Sequence, residues 1–158
     1  MIKNKKGFTL IELLAVIAIL AILLVFALPN VIQSMRNAKK STFLENVQSI
    51  MTNAVTQARV DASGRRKVTT YCRIDGNGCV GYEMLDLTGT KTIDFIVKVS
   101  SKYTVDYLAA TDGEFQIELL SGDPKAEDPT KLSIEDIVDL SENSNLKFTV
   151  EEKKNALD

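Results

Sequence analysis

The sequence predicts an α+β protein in which one long N-terminal helix leads into a β-rich domain. Three features of the chain predict this. Sixteen consecutive apolar residues run from Leu13 to Leu28. A stripe of apolar residues at helical spacing then continues to Ala58. After Gly64 the period shifts toward two, in short runs separated by turn signals.

The first element is a short basic leader. Residues 1–7 contain Lys3, Lys5 and Lys6 and no acid, and they end at Gly7. Phe8 opens the apolar helix, which holds one carboxylate, Glu12, against its apolar run. Insertion into a bilayer tolerates that charge. The twelve Leu, Ile, Val and Phe side chains of Leu13 to Leu28 contribute about −4 to −7 kcal/mol, while one acid costs about 3 at the helix centre and less near its end. From Phe8 to Leu28 the helix would rise about 31 Å, close to a hydrocarbon thickness of about 30 Å.

A charge in that position needs a counter-charge. Cutting the chain after Gly7 would create one, the α-ammonium of Phe8, four residues from Glu12. The segment KGFTLIE, residues 6 to 12, followed by the apolar run, resembles the class III signal of type IV prepilins and pseudopilins. The resemblance covers about the first thirty residues. Two other readings of residues 1–28 stand beside it. One is a secretory signal peptide with Val25 and Ala27 as the small pair before a cut; the other is an uncut membrane anchor. Neither accounts for Gly7-Phe8 or for Glu12.

Pro29 lacks an amide for the Val25 carbonyl and crowds that turn, so a kinked but continuous helix is expected. Leu44, Val47, Met51, Ala54 and Ala58 form the stripe, widened by Ile50 and Val55, with polar residues between them. Gly64 ends the helix, and Arg65, Arg66 and Lys67 follow, where cations suit its C-terminal dipole. A helix from Phe8 to Ala62 would be about 80 Å long. No globular domain of this size buries such a helix, so its outer apolar half must meet lipid or other copies of itself.

Past Gly64, residues 68–74 and 80–84 flank Asp75-Gly76-Asn77-Gly78 and read as a hairpin. Residues 93–99, 103–108, 115–120 and 146–150 are further strands. Residues 121–130, with two prolines, a glycine and three acids, read as a loop. Ser133 to Asp136 resembles a capping box opening a short helix to about Leu140, and the tail from Glu151 is expected to fray. Tyr71, Tyr82, Tyr103 and Tyr107 read as scattered sheet residues.

Cys72 and Cys79 face one another across the hairpin signal, and a disulfide fits them better than a zinc site, which would need two more ligands. Closing that loop would stabilise by on the order of 2–3 kcal/mol. A disulfide implies that the β-rich domain lies outside the cytosol and the lysine-rich leader inside. Charge alone leaves orientation nearly balanced, because Arg36, Lys39 and Lys40 follow the span.

Function classes are narrowed by what the composition holds. The chain carries 19 basic and 21 acidic residues and no histidine. Without the leader's three lysines the net charge moves from −2 to −5, which disfavours broad binding of nucleic acid. No catalytic or nucleotide motif is present, so neither catalysis nor a cofactor is expected. Asp123, Glu127 and Asp128 do not have the spacing of a calcium loop, and no metal site is expected. Arg65-Arg66-Lys67 as a DNA contact is a weaker reading than a compensated helix end.

The resemblance to type IV pilins implies more. The fold would be a long N-terminal helix, membrane span then amphipathic half, packed on an antiparallel sheet. The divisions would be residues 1–7 as removed leader, 8–30 as membrane and filament-core helix, 31–63 as amphipathic helix and 64–158 as an extracellular head. Gly7 would precede the cut by prepilin peptidase, Phe8 would be N-methylated, Glu12 would neutralise a neighbour's amine and Pro29 would mark the kink. Ala15, Ala18 and Ala21 give one side of the span a low profile suited to close helix packing. The implied partners are copies of this chain in a helical filament, other pilins, the pilus assembly platform, and membrane lipid before assembly. Adhesion, motility and DNA uptake are the uses the resemblance allows. The alternatives are a pseudopilin of a type II secretion or competence system, and a membrane-anchored binding domain that never polymerises. The cysteines depart from the commonest pilin pattern, standing soon after the helix instead of near the C-terminus.

Overall fold

The computed structural model describes residues 7–64, 69–85, 87, 92–143, 145, 147–155 and 157. The chain divides into two compact units, residues 1–39 and 40–158. Arg65, Arg66, Lys67 and the leader before Gly7 lie outside the described residues.

Helix α1 runs from Leu10 to Ser63, with Pro29 inside it. In the first unit no side chain of its most apolar window is buried, and by length and composition this helix can cross a membrane. In the second unit the expected stripe is the buried face: Val47, Ile50, Met51, Ala54 and Ala58, joined by Phe43, with Leu44 and Val55 partly covered. Fully burying side chains such as Ile50 and Met51 contributes about 1.5–3 kcal/mol each. Ala54 and Ala58 let the helix approach the sheet closely.

The sheet is antiparallel throughout and ordered β2-β1-β3-β4-β5-β6. Its strands are β1 Thr70–Ile74, β2 Asn77–Gly78, β3 Asp94–Val99, β4 Val105–Thr111, β5 Phe115–Leu119 and β6 Val138–Asp139. Successive side chains point to opposite faces, and both faces are covered. Tyr71, Phe95, Val97, Leu108, Ala110 and Ile117 pack in the same core as the α1 stripe, while Phe43 meets Phe115 at 6.1 Å between ring centroids. Cys72, Ile96 and Ala109 pack on the other side with Val150 and Phe148. That double coverage is why β3 reads as a nearly unbroken apolar run.

Polar links tie the second unit's part of α1 to the sheet and its loops. The Tyr71 hydroxyl donates to Asp61 at 2.9 Å, and Gln48 donates to the Pro129 carbonyl at 3.0 Å. Lys40 stands 3.9 Å from Asp139. Arg73, only 1% exposed, donates to the Ile93 carbonyl and lies over the Phe95 ring at 5.0 Å.

Several elements differ from the sequence reading. The 80–84 segment is not a strand. The hairpin closes on Asp75-Gly76, both at positive φ, so Asn77 already pairs with Ile74. A second turn at Cys79–Tyr82, with Gly81 at φ 89°, then prevents extension, and Glu83 makes a single bridge to Tyr71. Residues 121–130 are not an open loop. Asp123 accepts from the Lys125 amide and starts a one-turn helix, α2, Pro124–Glu127; Asp128 likewise caps a 3₁₀ turn, Pro129–Lys131. The capping box at Ser133 and Asp136 is present, but it opens only the 3₁₀ turn Ile134–Asp136 before β6. Leu146, Ala156 and Asp158 lie outside the described residues. In place of the expected strand 146–150 and frayed tail, residues 147–149 lead into α3, Val150–Asn155. Thr149 and Glu152 cap each other across its first turn, and buried Val150 anchors it to the sheet. Of the tyrosines, Tyr82 and Tyr103 sit in turns.

Candidate functional site

The candidate site begins at the N-terminus of α1. Gly7 and Phe8 precede the helix, and Phe8 is 89% exposed. Thr9 is the residue before the helix, and Glu12 lies in its first turn. The Thr9 amide and hydroxyl both donate to Glu12 Oε2 at 2.8 Å, and the Glu12 amide donates back to Thr9 Oγ1 at 3.3 Å. This reciprocal pair is a capping box, which satisfies backbone donors that the first turn would otherwise leave open. The sequence reading assigns Thr9 no role, although T-x-x-E ahead of an apolar run is the legible signal.

Along the same helix Ala15, Ala18 and Ala21 are exposed, as are the large apolar residues between them. Pro29 interrupts neither the helix nor this exposure. The surface therefore offers an apolar rod with one carboxylate at its start. Such a surface can partition into lipid or pack against helices of its own kind.

Cys72 and Cys79 form the second predicted constellation. The strand register that pairs Arg73 with Gly78 puts Cys72 opposite Cys79 one step further out. Their sulfurs stand at disulfide distance, with the Cα atoms 5.5 Å apart. Cys72 is buried beneath α3, and Val80 just beyond Cys79 is 90% exposed.

The remaining clefts carry less chemistry. One of about 450 Å³ is lined by Asp75, Asp94, Asp112, Phe148 and Glu151. There Asp94 accepts from the Asp75 amide at 2.8 Å, and burial pushes its carboxyl up. Another, of about 500 Å³, contains Tyr107, whose hydroxyl donates to Glu118 at 2.8 Å, while Lys153 donates to the other Glu118 oxygen at 2.6 Å. Burial and the Glu118 carboxylate push the Tyr107 phenol up. Among the described residues no group of three or more histidine, cysteine or acidic side chains is placed to hold a metal ion. Asp123 and Asp128 serve as caps.

Residues 2–28 match the family model for the prokaryotic N-terminal methylation motif, about a sixth of the chain. This is the class III signal sequence of type IV pilins and pseudopilins. No curated protein and no solved structure matches. The motif marks a prepilin-like N-terminus, implies processing by prepilin peptidase and assembly with other pilins, and points to a structural subunit in place of an enzyme. With the apolar helix behind it, it indicates membrane anchoring before assembly.

Proposed function

We propose that this chain is the precursor of a structural subunit of an extracellular type IV pilus-like filament. One observation carries the reading: the methylation motif, residues 2–28, takes in the first part of α1, and no side chain in that helix's most apolar window is buried among the described residues. Lipid covers them first, and neighbouring subunits cover them afterwards.

In this reading prepilin peptidase cuts after Gly7 and the new Phe8 amine is methylated. Glu12 meets the Phe8 ammonium of a neighbour. Opposite charges 4 Å apart attract by about 4 kcal/mol at an effective dielectric of about 20. Desolvation offsets much of that, so the pair sets register more than it adds net stability. Ala15, Ala18 and Ala21 allow close helix approach, and Pro29 relieves the helix where it leaves the packed bundle. The span is residues 8–30, the amphipathic half 31–63 and the head 64–158, outside the membrane and held by a Cys72–Cys79 disulfide. The subunit crosses the cytoplasmic membrane once and passes through an assembly platform into the fibre. It needs no cofactor and performs no catalysis.

Intact-mass measurement of membrane and fibre fractions tests the reading. The expected product begins at Phe8 and is one methyl group heavier than the trimmed chain, and it is found in filaments seen by electron microscopy. Gly7→Val should leave the precursor uncut and unassembled, because glycine gives a protease close access to the backbone there. A mature N-terminus at Leu28, or an intact one at Met1 in every fraction, overturns it.

A further inference from the structure

Arg36 and Lys39 follow the apolar segment on the side that the filament reading puts outside, where the positive-inside tendency disfavours them. Their place along the helix gives them a use. The capping box gathers Thr9, Glu12 and the first amides of α1 into one polar cluster, which belongs at the membrane interface and not in hydrocarbon. The hydrocarbon-spanning part of α1 then starts at Leu13. A helix needs about 20 residues to cross about 30 Å, which reaches Ile32. Val31, Ile32 and Met35 are exposed apolar residues, so the greasy surface does continue past Pro29.

Ile32, Met35, Arg36 and Lys39 line one groove on the helix surface. Residues three and four apart are neighbours on a helix, so two apolar side chains lead directly into two cations. At 1.5 Å per residue, Arg36 and Lys39 stand about 6 and about 10 Å beyond Ile32. A bilayer of about 40–45 Å around a core of about 30 Å leaves about 5–7.5 Å of headgroup layer on each side, which is the depth of the Arg36 backbone. Lys39 starts just beyond that layer, and its side chain, tilted toward the helix N-terminus, reaches back into it. The guanidinium fork matches phosphate oxygens, and the lysine ammonium supplies a mobile point charge on a stem that can lie along lipid.

We propose that Arg36 and Lys39 bind the phosphates of anionic phospholipid in the outer leaflet and so set the depth of the subunit before assembly. The proposal rests on the membrane-held reading above. It moves the hydrocarbon span to Leu13–Ile32, which leaves Phe8 about 7.5 Å from the core, at the outer limit of the inner headgroup layer, and Gly7 just beyond it, within reach of a protease.

The chain contains no tryptophan, so one introduced residue is a clean reporter. Full-length Ile22→Trp and Ile32→Trp proteins are reconstituted in phosphatidylcholine vesicles with or without phosphatidylglycerol. Lipids brominated at different depths locate each indole, and energy transfer to dansyl-phosphatidylglycerol or dansyl-phosphatidylcholine reads the local lipid. The indole of Ile22→Trp should lie at the bilayer centre. That of Ile32→Trp should lie near the outer glycerol level, with selective transfer to the anionic lipid. Adding Arg36→Gln or Lys39→Gln to the Ile32→Trp protein should reduce that selectivity about fivefold in each case. Equal transfer to both lipids, or selectivity unchanged by the substitutions, overturns the lipid contact while the membrane reading stands. An Ile22→Trp indole away from the centre overturns the span itself, and this proposal with it.

Discussion

Thr9 and Glu12 hold each other at the start of α1 through three hydrogen bonds of 2.8 to 3.3 Å. The carboxylate proposed above to meet a neighbouring subunit's amine therefore also serves its own helix. Thr9→Ala removes half of this box, and loss of such a cap costs about 0.5–2 kcal/mol. Faster hydrogen exchange at the amides of Leu10 to Leu13, in detergent or bilayer, is the expected outcome. Thr9→Ser should restore protection, and unchanged exchange in Thr9→Ala would mean the cap carries no stability.

The two duties of Glu12 can be separated. Glutamine still closes a capping box but carries no charge. Glu12→Gln should keep the protected first turn and still enter fibres poorly, and Glu12→Leu should lose both. Insertion and trimming stay normal in each. An unpaired Phe8 ammonium among apolar helices costs about 3–5 kcal/mol. Wild-type fibre yield from Glu12→Gln, in cells lacking the native subunit, would remove charge pairing from the account.

Ala18 tests close packing. Ala18→Leu adds hydrophobicity, so membrane insertion persists, but the added side chain holds neighbouring helices apart. Fewer fibres, or fibres that dissociate at lower temperature, are expected. Equal yield and thermal resistance would show that this side of the helix only meets lipid.

The cysteine pair should be oxidised in the mature head. Thiol labelling of unfolded, unreduced protein should add nothing, and two labels per chain would reject the bridge. Cys72→Ala/Cys79→Ala should lower stability by about 2–3 kcal/mol, read from denaturant midpoints.

Acid should loosen the region beside α2. At Asp136 burial pushes the carboxyl up, but hydrogen bonds from Lys125 and from the Ser133 amide and hydroxyl outweigh it and leave the group below the usual carboxylate range. A depressed folded value means stability that is present above the unfolded pKa of about 3.9 and is lost as pH falls through the folded value. The unfolding midpoint should fall on acidification from about pH 5 toward about pH 2. Asp136→Asn should lower the midpoint at neutral pH and flatten that fall. An unchanged acid profile in Asp136→Asn would assign the effect to other carboxylates.

The helix and its buried stripe are legible in the sequence because 3.6-residue periodicity persists over many turns. Strands β3 and β5 are equally visible, being apolar runs between turn signals. The hairpin is visible but mis-sized, since both Asp75-Gly76 and Asn77-Gly78 suit tight turns and only pairing against β3 selects the first. The C-terminal helix is hidden for a related reason. Phe148 to Val150 has strand composition, and the decisive signal is the spacing of Thr149 and Glu152. That signal also stands at Thr9 and Glu12. At both places the apolar content draws the reading away from the cap. Burial of Arg73 over the Phe95 ring has no local signal, because it depends on the carbonyl of distant Ile93.

Both edges of the sheet are only two residues long, Asn77–Gly78 at one side and Val138–Asp139 at the other. A filament holds its heads at very high local concentration, where any long open strand would invite strand addition between neighbours. Edges this short offer little template for it, and the first is further blunted by a glycine. On the filament reading proposed above, the head is thereby a poor polymer by strand exchange, which leaves polymerisation to the helix.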